Sequence, residues 1–170
     1  MIGIIAAMEK EVKNFLSFMG NYKVKKIHYL TFYLGKVGKN KIVLCVSGIG
    51  KVSSGMIVSI MIDHFKGIDA IINIGVSGGY KGAVNCGDVV VGKNYSYADV
   101  DGTCFENHDY GQIPGLPTYL SGNEEMIKKI KEDVKVGTIL TGDKFFTSHE
   151  ECEKLVNTPT DCCLRKRSGN

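Results

Sequence analysis

The chain has 170 residues, 44% of them hydrophobic and 23% charged, with a net charge of +3. That length and apolar content suit one domain with a sizeable core, and so mild a charge gives no reason to expect a nucleic-acid or membrane partner. No apolar run is long enough to span a bilayer, and the N-terminus, MIGIIAAMEKEV, reaches charged residues too soon for a signal peptide, so the expected compartment is the cytoplasm.

The first run, Ile2 to Ala7, is continuous and apolar, as a strand buried on both faces would be. MEKEVKNFLSFM follows, with Val12, Phe15, Leu16 and Met19 at helical spacing. LTFYLGKV, a turn at Gly38-Lys39-Asn40 and KIVLCVSG predict a hairpin. Gly50 to Phe65 predicts a helix, with Val52, Met56, Ile60 and Phe65 among its apolar positions. IDAIINIG and GDVVVGKN predict two more strands, Asn123 to Glu132 a polar helix, and VKVGTILTG a last strand. Strands that alternate with helices, interrupted by a hairpin, predict a three-layer α/β domain around a mixed central sheet. Ligands in such sheets bind beyond the strand ends.

Of the six cysteines, Cys45 and Cys86 lie in or beside strand-like runs and read as small core residues. None forms a C-x-x-C pair, zinc-like spacing is absent, and no metal is expected.

Gly75-Val76-Ser77-Gly78-Gly79 fits the G-x-S-x-G pattern of a nucleophile elbow. An elbow needs a helix directly after its serine. Here Gly79, Gly82 and Gly87 break up the next segment, and VVV follows. His108 and His149 are the histidines a triad would draw on. A bare turn is one alternative. A better fit is a strand end whose glycines let a flat ligand approach the backbone, where free N–H and C=O groups read its edge. SGIGKVSSG, Ser47 to Gly55, also joins a strand to a helix, but it fails both the dinucleotide and the P-loop patterns. Glu9 and Glu11 follow the first strand. Both suit the first turn of a helix dipole, yet they point to different sides, and one carboxylate at a buried strand end has the makings of a general base.

IGIIAAMEKEV, SGIGKV, INIGVSGG, GDVVV, YGQIPG and TGDKFF, in this order, closely resemble the 5′-methylthioadenosine/S-adenosylhomocysteine nucleosidases of the nucleoside phosphorylase superfamily. The resemblance runs from Met1 to about Val156. It implies a nucleoside phosphorylase-like fold and hydrolysis of the N-glycosidic bond of adenine thioribosides, releasing adenine and a thioribose without metal or cofactor. It also implies a homodimer in which the neighbouring subunit helps close the thioether pocket. By this resemblance Glu11 is the water-activating base, and Met8 and Ile49 are apolar residues lining the pocket. Val76, Ser77 and Gly78 form the loop beside sugar and base. Phe145 stacks on adenine, Phe146 reads the purine edge through its backbone, and Phe105 is the aromatic lent to a partner subunit.

The family's later Met-Glu and Ser-Asp motifs, which hold the ribose hydroxyls and supply the catalytic acid, have no counterpart. After Val156 the chain reads NTPTDCCLRKRSGN. The expectation is an incomplete nucleosidase domain over 1–156 and an unrelated tail over 157–170, produced by a frameshift or early stop, with little activity. The alternative function is a non-catalytic adenine-nucleoside binder. A phosphorylase would need arginine for phosphate, and the only arginines are Arg165 and Arg167.

Overall fold

The computed structural model describes residues 1–156. They fall into two compact units, Met1–Val76 and a second that begins at Ser77. The expected 157–170 tail, with Cys162, Cys163 and both arginines, lies outside the described residues.

The first unit contains β1 (Ile2–Ala6), α1 (Glu9–Met19), β2 (Lys23–Ile27), β3 (Leu30–Val37), β4 (Asn40–Val46), α2 (Lys51–His64) and β5 (Ala70–Ile74). Its mixed sheet has the order β2-β3-β4-β1-β5. The hairpin pairs β3 with β4 antiparallel, closing at Val37 opposite Asn40 through Gly38, whose φ of 57° is left-handed. β1 runs parallel to both β4 and β5.

Alternation along the central strands sends side chains to both faces, which is why β1 reads as an unbroken apolar run. Ile5, Phe32, Val43 and Cys45 pack with Ile57, Met61 and Phe65. Ile4, Ala6, Ile42 and Leu44 pack on the other face with Val12 and Met19. α2 and α1 therefore cover opposite faces of the sheet, the expected three layers.

The buried residues of α2 are Ile57 and Met61, whereas Val52 is 81% exposed and Met56 is exposed as well. Of the apolar positions named from the sequence, Phe65 is in the core and Ile60 packs against it, while Val52 and Met56 do not. α2 is apolar on nearly every side, so spacing alone does not select the face that is buried. β2, KVKKI, was not predicted. Its lysines leave only Ile27 buried, the composition of a protected sheet edge.

The second unit contains β6 (Val90–Tyr97), β7 (Leu120–Ser121), α3 (Glu124–Ile127), β8 (Lys135–Thr141) and α4 (His149–Val156). Its sheet has the order β7-β6-β8, with β6 and β8 parallel. The helix predicted over Asn123 to Glu132 contracts to α3. Asn123 caps it by accepting from the Met126 N–H at 3.0 Å, but none of its residues is buried. A short polar helix without a packed face does not propagate. Cys86 is exposed, not a core residue. It sits in a turn closed by Asn85 N–H donating to Asp88 Oδ2 at 2.7 Å, before β6 begins. Cys45 is fully buried as expected, and burial pushes its thiol up to about 11.

Candidate active site

Because β1, β4 and β5 are parallel, the segments after Ala6, Val46 and Ile74 leave the same edge of the first unit's sheet. The Ser47 N–H donates to the Ala6 carbonyl at 2.7 Å, which ties the end of β4 to that of β1. Ile49 follows in this loop and is exposed, between Gly48 and Gly50, both at positive φ.

Glu11 stands at the centre of this edge. It is the third residue of α1, where a carboxylate reaches back to the exposed amides of its own helix start. Its Oε2 accepts the Met8 N–H at 2.9 Å. Its Oε1 accepts the Val76 N–H, just past the end of β5, at 3.0 Å. One carboxylate thus fastens the end of β5 to the start of α1. Each oxygen uses one acceptor position on backbone, and a carboxylate has about four in all, so capacity is left for a water. Glu9 is exposed. The sequence left open which of the pair faces the sheet, and the structure selects Glu11. Met8, Glu11 and Val76 come together directly, and Ile49 lies on the same edge.

The remaining sequence-predicted residues belong to the second unit. β5 leads into an extended loop through Ser77 and Gly78, with no helix after the serine. The Ser77 hydroxyl donates to the Gly78 carbonyl at 2.8 Å. The local geometry of a nucleophile elbow is therefore missing. Phe105 is exposed, and its ring meets that of His108 edge-on at 5.8 Å. His108 Nδ1 lies 3.0 Å from the Glu106 carbonyl.

Phe145 is 77% exposed on the segment that follows β8, with a ring face open to stacking. Phe146 beside it lies under the Lys144 ammonium, 5.3 Å from the ring centroid. Lys144 pairs with Glu151 of α4, and this hydrogen bond raises the lysine's pKa and lowers that of the glutamate. The start of the segment is held by a second carboxylate. Asp99, after β6, accepts the Asp143 N–H at Oδ2, 2.7 Å away. Sequence reasoning missed Asp99, Lys144 and Glu151 as supports. The usable signal was an acid shortly after one strand, and Gly-Asp after its parallel neighbour. The second unit also has a small cavity bounded by Tyr95, Tyr97, Ile113, Leu116 and Leu120. None of the sequence-predicted residues lines it.

A sequence model described as the phosphorylase superfamily matches residues 1–163. The 5′-methylthioadenosine/S-adenosylhomocysteine nucleosidase of Staphylococcus aureus (strain JH9) is 35% identical over 162 residues, spanning 91% of this chain and 70% of that protein. Among solved structures, the Streptococcus pneumoniae MTA/SAH nucleosidase in complex with 8-aminoadenine matches with a TM-score of 0.86 at 32% identity, covering 97% of this chain and 75% of that one. The futalosine hydrolase of Helicobacter pylori matches with a TM-score of 0.82 at 26% identity, covering 97% and 74%. The fold is nucleoside phosphorylase-like.

Proposed function

Since this chain belongs to the phosphorylase superfamily and, within it, to the 5′-methylthioadenosine/S-adenosylhomocysteine nucleosidases, we propose that it carries the water-activating and adenine-facing part of that family's N-glycosidase site, with Glu11 as the base that activates water. The observation that carries this reading is the Glu11 carboxylate, held by the Met8 and Val76 amides beyond the ends of the parallel strands β1 and β5. N-glycosidic cleavage passes through an oxocarbenium-like state, and a water must be deprotonated as it closes on the sugar carbon. A base works only within hydrogen-bond reach of that water. Two amides that fix the carboxylate before substrate arrives reduce the reorganisation required in the transition state.

The substrate in this reading is an adenine thioriboside. Phe145 stacks on the base and the Phe146 backbone reads its edge, supported by the open Phe145 ring and the anchored segment that carries it. Met8 and Ile49 line the pocket with apolar surface, and Val76, Ser77 and Gly78 border sugar and base. The working form in this reading is a homodimer to which Phe105 contributes. Its support is the exposed Phe105 ring and the exposed apolar Val52 and Met56 of α2.

The test is adenine release from 5′-methylthioadenosine by the purified 170-residue chain and its Glu11→Gln variant. Turnover by the native chain is expected to be weak, and general-base loss is expected to slow it by a further factor of about 10²–10⁴ while adenine binding persists. A variant with near-native turnover would remove Glu11 from this role. Binding without any turnover would favour the adenine-nucleoside binder, and futalosine as a second substrate distinguishes the two kinds of relative.

A further inference from the structure

Gly75 lies between the last residue of β5 and the amide that grips Glu11. Its φ is not in the left-handed region, so its backbone does not call for glycine. What surrounds it does. A Cβ at this position would lie 2.9 Å from Glu11 Oε1, 3.3 Å from Cδ and 3.5 Å from Oε2. Those carboxylate atoms are its three nearest neighbours, and the first distance is shorter than real Cβ contacts. The end of a free glutamate would swing aside from such a methyl group. This one is held from two directions, at 2.9 Å by Met8 and at 3.0 Å by Val76.

We propose that Gly75 is a positioning residue for Glu11: the missing side chain is the space in which the carboxylate sits, and filling it breaks the Val76 grip. The contact itself is a property of the fold. Its effect on turnover rests on the nucleosidase reading above. A methyl group at 75 moves Oε1 away from the Val76 amide while the short loop back to Met8, within α1's own first turn, survives. The base is displaced on the side that faces β5, and the sheet beneath is untouched.

The experiment follows amide hydrogen exchange of the ¹⁵N-labelled 170-residue chain by NMR. In the native chain the Met8 and Val76 amides are protected by the same carboxylate, and Glu11→Ala exposes both. In Gly75→Ala the Val76 amide exchanges as fast as in Glu11→Ala and Met8 keeps its protection. Unchanged Val76 protection in Gly75→Ala overturns the proposal. Stability supplies a second arm. Gly75→Ala lowers the urea midpoint in the native background and leaves it unchanged in Glu11→Ala, where the new Cβ meets no carboxylate. Equal shifts in both backgrounds overturn the proposal too. If Gly75→Ala fails to fold, the double variant must fold for the proposal to survive. In turnover, Gly75→Ala lowers kcat by about 10²-fold with KM within about twofold, the cost of a base misplaced by roughly 1 Å. No turnover from the native chain would count against the nucleosidase reading alone, because the amide exchange and the double-variant comparison are independent of it.

Discussion

Phe32→Ala tests the account of the core most directly. Phe32 is fully buried on β3 opposite Cys45, and its ring meets that of Phe65 at 5.1 Å between centroids. Truncation removes the aromatic pair and leaves a void among Ile57, Met61 and Val43, which the sheet backbone is not free to collapse. Buried Phe→Ala changes cost about 3–5 kcal/mol, of which about 0.5–1.5 belongs to the ring pair. For a chain of this size, 1 kcal/mol moves Tm by about 2–4 °C, so a central loss of about 4 kcal/mol lowers Tm by roughly 8–16 °C. Phe18, on α1 and 77% exposed, is the control, with an expected change within about 0.5 kcal/mol. Urea titrations followed by far-UV circular dichroism give both values under one set of conditions. A Phe32→Ala loss below about 1 kcal/mol, or equal losses for the two phenylalanines, would refute the packing assigned to this face.

Four further outcomes are expected. Ser77→Ala leaves adenine release within about twofold, since the hydroxyl only donates to the adjacent carbonyl; loss as complete as that of Glu11→Gln would restore the nucleophile. Gly3→Ala costs about 1–3 kcal/mol by overpacking, because its Cβ would lie 2.5 Å from Ile71 Cδ1 and 2.7 Å from Met61 Sδ; an unchanged urea midpoint contradicts this. Cys45 resists iodoacetamide at pH 8 while the exposed Cys86 and Cys104 are alkylated, as mass spectrometry of the intact chain would read out. Its thiol also gives stability a direction with pH. The folded chain holds this proton up to about 11 and the unfolded chain only to the ordinary 9.0, so stability declines as pH rises through that interval; Cys45→Ala should remove that part of the slope.

The sequence was most informative where burial left a simple pattern. β1, the hairpin, α2 and β5 all appear within a residue or two of their expected ends, because apolar runs bounded by glycine admit few alternatives. Glu11 was legible as a carboxylate at a strand end, and Ser77 as a serine without the helix an elbow requires. Pattern failed where burial is slight. β2 hides behind its lysines, β7 is two residues long, and α3 has helix-forming residues but no face to pack. The supports of the site were harder still. Asp99, Lys144 and Glu151 are ordinary polar residues in one dimension, and only the parallel pairing of β6 with β8 brings the first of them to the Asp143 amide. Gly75 belongs to the G-x-S-x-G motif, but its reason, a carboxylate from another segment, lies far away along the chain.

The joint at Glu11 has a counterpart. Gly142 follows β8 as Gly75 follows β5, its absent Cβ would lie 3.1 Å from the Asp99 carboxyl carbon, and the next amide donates to that carboxylate. The two joints are not equally strict. A Cβ at Gly75, 2.9 Å from Glu11 Oε1, forces the carboxylate to move, whereas a Cβ at Gly142 asks Asp99 to give by a few tenths of an ångström. At the Gly75 joint the order of substitution therefore matters: a side chain there is penalised while the acid is present and costs little once the acid is gone.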